Sequence, residues 1–140
     1  MVFGRAIISG VLMLSGVGNV SAQDVDDPLA RYRGSARVIL AFAPAADDQR
    51  LVEQRRQFEA MGKGARERDL VFVEVVAGAA GADPLRHRFG LPAGVFRVVL
   101  VGKDGGAKLG SQVPLGAAQL YPVIDAMPMR QEETSRAPRG

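Results

Sequence analysis

The 140-residue chain contains no cysteine and no tryptophan, and it has one histidine and two tyrosines. Without cysteine there is no disulfide, no thiol redox chemistry and no thiolate metal site. A lipoprotein anchor, which needs a cysteine at its cleavage point, is excluded as well. The single histidine, His87, stands between Arg86 and Arg88 on a short helical stretch, which argues against a histidine-based metal site. Ser35 and Ser111 lack the strand-turn-helix setting of a nucleophilic serine. Aromatic residues are only 6%, and no basic stripe is interleaved with them, so nucleic-acid binding is not expected. The charge excess is small, +3 from 18 basic and 15 acidic residues. Long apolar runs are missing too. The run from Ala6 to Val17 is shorter than the ~20 residues needed to cross a bilayer.

That run instead has the form of an export leader. Arg5 supplies the positive start, Ala6 to Val17 the apolar stretch, and Val20-Ser21-Ala22 a small-residue cleavage site. Cleavage after Ala22 would remove one positive charge, Arg5, and no negative one. The alternative is a leader retained as an N-terminal anchor. The expected partition is a signal peptide over 1–22, a lead-in over 23–36, a domain over 37–129 and a disordered polar tail over 130–140. The expected location is the periplasm or the extracellular space, with no integral membrane span after cleavage.

Within the domain, Val38 to Ala43 is apolar without alternation, the pattern of a strand buried on both faces. Pro44 ends it. A helix is predicted from about Asp48 to Met61, with Asp47 or Asp48 as its cap. Leu51, Phe58, Met61 and Ala65 form its apolar stripe, interrupted by Gln54 or Arg55, and Gly62 and Gly64 form its stop. Leu70 to Val76 is a second strand, apolar except for Glu74. Asp83-Pro84 opens a short helix that Gly90 and Pro92 close. Val95 to Val101 is a third strand, and Lys103-Asp104-Gly105 a hairpin turn into the edge strand Ala107 to Ser111. The glycines from Gly102 to Gly106 belong to that turn, because no helix follows them as a phosphate loop would require. A final helix begins near Gly116, with Gln119 as a capping-box partner and Leu120, Ile124 and Met127 facing inward. Pro122 predicts a kink or break in it.

Two strand-helix-strand crossovers followed by a hairpin and a helix predict an α/β, thioredoxin-like fold. The expected sheet has four strands, three parallel plus an antiparallel edge, flanked by helices. The residues also carry a resemblance. Val38 to Ala43 and its following helix resemble the first core strand of thioredoxins. Phe89-Gly90-Leu91, Val98 to Val101 and Lys103-Asp104-Gly105 resemble the stretch ending in the thioredoxin hairpin. A more specific resemblance rests on Asp27-Pro28-Leu29, Tyr32, Phe42-Ala43-Pro44, Glu67-Arg68-Asp69, Leu100 to Gly106 and Ile124 to Arg130. These are similar to a bacterial family of exported thioredoxin-like domains of unknown function. That family is related to the DUDES domains of vertebrate sushi-repeat and coiled-coil extracellular-matrix proteins. The similarity covers about Asp27 to Arg130 and implies a fold, without a known activity or cofactor.

Overlaid on thioredoxins, the C-x-x-C positions fall near Asp47 and Arg50, and the cis-proline position near Val95, with Pro92 upstream. Thiol-disulfide exchange needs a thiolate, so the chain cannot perform it. Three readings follow. In the first, a non-enzymatic binding or adaptor module contacts an exported protein partner through Pro44, Asp47, Asp48 and Arg50. In the second, Asp47, Asp48 or Glu74 serves as a carboxylate acid/base; Arg97 and Arg37 are the candidate partners of Glu74. In the third, the arginines bind a polyanion or an anionic lipid surface. Asp47 and Asp48 also have a purely structural explanation, as cap and helix-dipole residues.

Overall fold

Seven residues with no polar alternation, Arg37–Ala43, form the central strand β2 of a mixed sheet in the computed structural model, which describes residues 5–7 and 28–136. Every residue of this strand is buried. Ahead of it, Arg5–Ile7 forms a short strand β1, and Ala30–Tyr32 a single 3₁₀ turn that follows the buried Leu29. The rest of the expected leader, and residues 23–27 of the lead-in, lie outside the described residues.

After β2 come helix α1 (Gln49–Met61), a short helix α2 (Lys63–Glu67) and strand β3 (Leu70–Val76). Helix α3 (Ala82–Arg88) and strand β4 (Arg97–Val101) follow, then strand β5 (Ala107–Ser111), helix α4 (Ala117–Asp125) and helix α5 (Pro128–Arg136). The strand order is β1-β3-β2-β4-β5. Strand β2 runs parallel to β3, with Ile39 opposite Phe72, and antiparallel to β4, with Ile39 opposite Leu100.

The pleat of β2 sends alternate residues to two cores. Ile39 and Ala41 join Leu51 and Phe58 of α1, Phe72 of β3, and Leu120 and Ile124 of α4. Leu40 and Phe42 join Val73, Val75, Leu85 of α3 and Leu29. Phe58 stacks on Phe72 at 5.6 Å, and Phe42 meets Phe89 edge-on at 5.8 Å. Each such large apolar side chain contributes about 1.5–3 kcal/mol by leaving water.

Four expectations need correction. The third predicted strand, β4, is antiparallel to β2 rather than parallel. The chain enters β4 from the end at which it left β3, so the connection through α3 is not a crossover. Helix α4 runs through Pro122 without a break. The ring opposes Ala118, in the first turn of the helix, so few intrahelical bonds are at stake. Gly62, whose φ is +49°, ends α1 as expected, but Gly64 is no stop: it lies inside α2, which follows at once. Finally, residues 130–136 of the predicted disordered tail belong to helix α5, and 137–140 lie outside the described residues. This helix buries none of its residues. Its attachment is electrostatic, so no apolar stripe marks it in the sequence.

Candidate functional site

At the end of the sheet where β2 and β3 terminate, Pro44 to Asp48 form the loop into α1. Asp48 caps the helix, its carboxylate accepting from the Arg50 amide at 2.9 Å. Arg50 folds back onto the same carboxylate through Nε at 3.0 Å and Nη2 at 2.7 Å. This side-chain hydrogen bond, opposed by partial burial, holds the Asp48 carboxyl below its ordinary value. The Arg50 guanidinium also lies over the Phe96 ring, 5.0 Å from its centroid. Asp47 is exposed, and its carbonyl accepts from the Gln49 side chain at 3.3 Å. Pro44 is partly exposed in the same loop. The structure thus joins Asp48 to Arg50, while Asp48 is turned onto the helix amide. Among the described residues, no group of three or more acidic or histidine side chains could hold a metal ion.

Glu74 is held by Arg55 of α1, with Nε and Nη2 each 2.8 Å from a carboxylate oxygen. Neither expected partner is in reach. Arg37 is opposite Leu70 and Glu74 opposite Ala41, so four residues, about 13 Å, separate them along the sheet. Arg97 is on β4, with β2 lying between it and β3. His87 is exposed on α3, whereas its neighbour Arg86 is buried. Arg86 donates to the Ala43 carbonyl at 2.9 Å and the Val75 carbonyl at 3.5 Å. Its burial lowers its pKa, with Asp83 opposing the shift. A lone arginine in a polar, arginine-rich stretch gives no sequence signal that it turns inward.

The opposite end of the sheet is far richer in charge. Arg37 opens β2 with its side chain 1% exposed. It donates to the Arg68 carbonyl at 2.8 Å and bidentately to Glu133 of α5 at 3.3 and 3.1 Å. Lys103 of the hairpin donates to Asp69 at 2.8 Å and to Glu133 at 2.7 Å. Arg68 pairs with Asp125 through two 3.0 Å bonds and stacks over Tyr121 at 3.7 Å. Arg130 donates to the Glu67 carbonyl at 2.8 Å and to Asp125 at 3.3 Å. Burial acts to raise the pKa of Glu133, but Arg37 and Lys103 more than offset it, and the net shift is downward. Asp125 is also lowered, first by Arg68. Asp69 adopts a positive φ of 50°, unusual for a residue other than glycine. There its carbonyl accepts from the Arg37 amide at 2.8 Å while its carboxylate meets Lys103.

Several residues of this network were visible as motif residues, Glu67-Arg68-Asp69, Lys103, Asp125 and Arg130, but nothing in their spacing shows that they meet. Glu133 and Arg37 carried no such signal. Glu133 sits in a polar run, and Arg37 was read only against Glu74.

The sheet order, the two cores and the hairpin define a thioredoxin-like fold. Thioredoxin O2 from Arabidopsis thaliana in its oxidized state is similar in structure, with a TM-score of 0.57 at 15% identity. The match covers 89% of this chain and 94% of that one. The chain belongs to a family described as a domain of unknown function, DUF4174, which it matches over residues 28–133. That span includes both ends of the sheet and extends through Glu133. No curated protein matches the sequence.

Proposed function

We propose that this chain is an exported, non-catalytic binding domain built on a thioredoxin-like scaffold. The observation that carries the reading is the Asp48–Arg50 pair. The positions that align with a thioredoxin dithiol fall at this loop, and the chain has no cysteine to place there. A capped helix start and a bidentate ion pair fill the loop instead. Pro44, Asp47, Asp48 and Arg50 form the contact surface, and the partner is an exported protein. The leader-like N-terminus and the resemblance to the DUDES domains of extracellular-matrix proteins support a role outside the cytoplasm.

Acid/base catalysis by these carboxylates is disfavoured. Asp48 is engaged by its own helix and Arg50, and Glu74 is buried and doubly bonded to Arg55. The Arg50 hydrogen bond holds Asp48 below its ordinary value, away from proton exchange near neutrality.

Affinity capture from a periplasmic extract, using the full chain and an Asp47→Ala, Arg50→Glu double variant, tests the surface. Loss of specific partners in the variant is expected. An unchanged set of partners overturns the assignment. Fractionation with N-terminal sequencing of the mature chain tests export, and a cytoplasmic, unprocessed chain overturns that part.

A further inference from the structure

A pocket of about 310 Å³ opens at the charged end, between the β4–β5 hairpin and the junction of α4 with α5. Val123, Ala126, Met127 and Met129 supply apolar lining, and Arg37, Lys103, Lys108 and Asp104 supply charged lining, three cations to one carboxylate. Methionine side chains adapt to ligands of varied shape. Met129 is one of three large apolar side chains left exposed among the described residues, with Val52 and Val113.

The cations on this pocket have donors to spare. The Arg37 side chain is 1% exposed, and its Nε is buried with no hydrogen-bond partner. Lys103, 9% exposed, uses two N–H groups, on Asp69 and Glu133. An ammonium has three. An anionic head group would supply a charged acceptor for these unused donors.

We propose that this pocket binds an apolar monocarboxylate. Its carboxylate meets Lys103 and Arg37, and its hydrocarbon body lies against Val123, Ala126, Met127 and Met129. At the ~30 Å³ share of a water molecule, the volume suits about ten non-hydrogen atoms, the size of an eight-carbon acid. Charge selects the head, because a carboxylate accepts stronger, charge-assisted hydrogen bonds from the unused donors than a neutral head does. The walls select the body, because a short acid would leave them wet. The site is independent of the loop at Pro44 to Arg50, which lies at the other end of the strands.

Calorimetric titration of the full chain with octanoate, octanol and acetate tests the proposal. Octanoate should bind at least tenfold more tightly than either control. Ala126→Phe fills the pocket from an exposed backbone position without touching an ion pair, and should weaken octanoate at least tenfold. Lys103→Met should weaken it similarly. Circular dichroism establishes that each variant is folded; if Lys103→Met fails this check, Ala126→Phe and the ligand controls still decide. Octanol or acetate binding as tightly as octanoate overturns the proposal. So does octanoate binding that Ala126→Phe leaves unchanged, or no octanoate binding at all.

Discussion

The two ends of the sheet are built from the same residue types and solve different problems. At the loop end, charge is local: Asp48 and Arg50 are two residues apart and satisfy each other, with the arginine half open to water. At the hairpin end, charge is long-range: Arg37 reaches Glu133 across 96 residues, and Arg68 reaches Asp125 across 57. The first arrangement stabilises one helix start. The second fastens together the start of β2, the turn before β3, the hairpin and the last two helices. Most of the fixed polar chemistry of this chain lies at the hairpin end.

The largest separation between the ends should come from Arg37→Ala. The Arg68 carbonyl loses its donor and Glu133 is left to Lys103 and Arg130, a loss of about 1–3 kcal/mol. Urea unfolding should show that loss, with amide exchange accelerating first along α5. A change no larger than that of a surface variant would mean that α5 is held by something other than Glu133.

Acid should separate the same helix from the body. Glu133 and Asp125 have folded-state pKa values below their ordinary ones. Their contribution is therefore complete above the unfolded carboxylate values of about 4 and is lost as pH falls through the lower folded values. Protection of α5 amides should hold at pH 5 and disappear only below about pH 4. Loss of protection near neutrality would contradict the sign of these shifts.

Asp48→Ala should cost less, about 1 kcal/mol, the usual value of a helix cap. The loss should be confined to the start of α1, with α5 exchange unaltered. Smallest of all, Arg50→Ala should leave the urea midpoint unchanged, since Arg50 is half exposed and its pair with Asp48 readily screened. Raising the salt concentration should likewise affect the loop end first. A large effect of Arg50→Ala would show that its contact with Phe96 holds the loop, and would blur the contrast between the ends.

The parts of the fold governed by neighbours in sequence were legible. Asp48 capped its helix as expected, Gly105 took the positive φ of the hairpin, and the stripe of Leu51 and Phe58 faced the core. Gln54, read as an interruption of that stripe, is buried because its amide closes on both backbone groups of Leu115, at 2.8 and 2.7 Å. The misreadings share a cause. The partner of Glu74, the direction of β4 and the attachment of α5 all depend on contacts between segments distant in sequence. Helix α5 is the clearest case: a polar stretch with no apolar face reads as disorder, and its order rests on Arg37 and Lys103.

At the loop end, the cap at Asp48 was legible in the sequence. The hairpin-end network was present only as scattered motif residues. Composition and periodicity determined that this chain forms a buried parallel strand pair, helices on both faces and no thiol chemistry, because those follow from which side chains exist and how they alternate. Tertiary structure decided where the charges meet. An arginine at the start of one strand and a glutamate near the chain's end carry no mark of each other. Only folding brings them within 3.1 Å, with the arginine buried and the glutamate partly shielded, where water screens the attraction less.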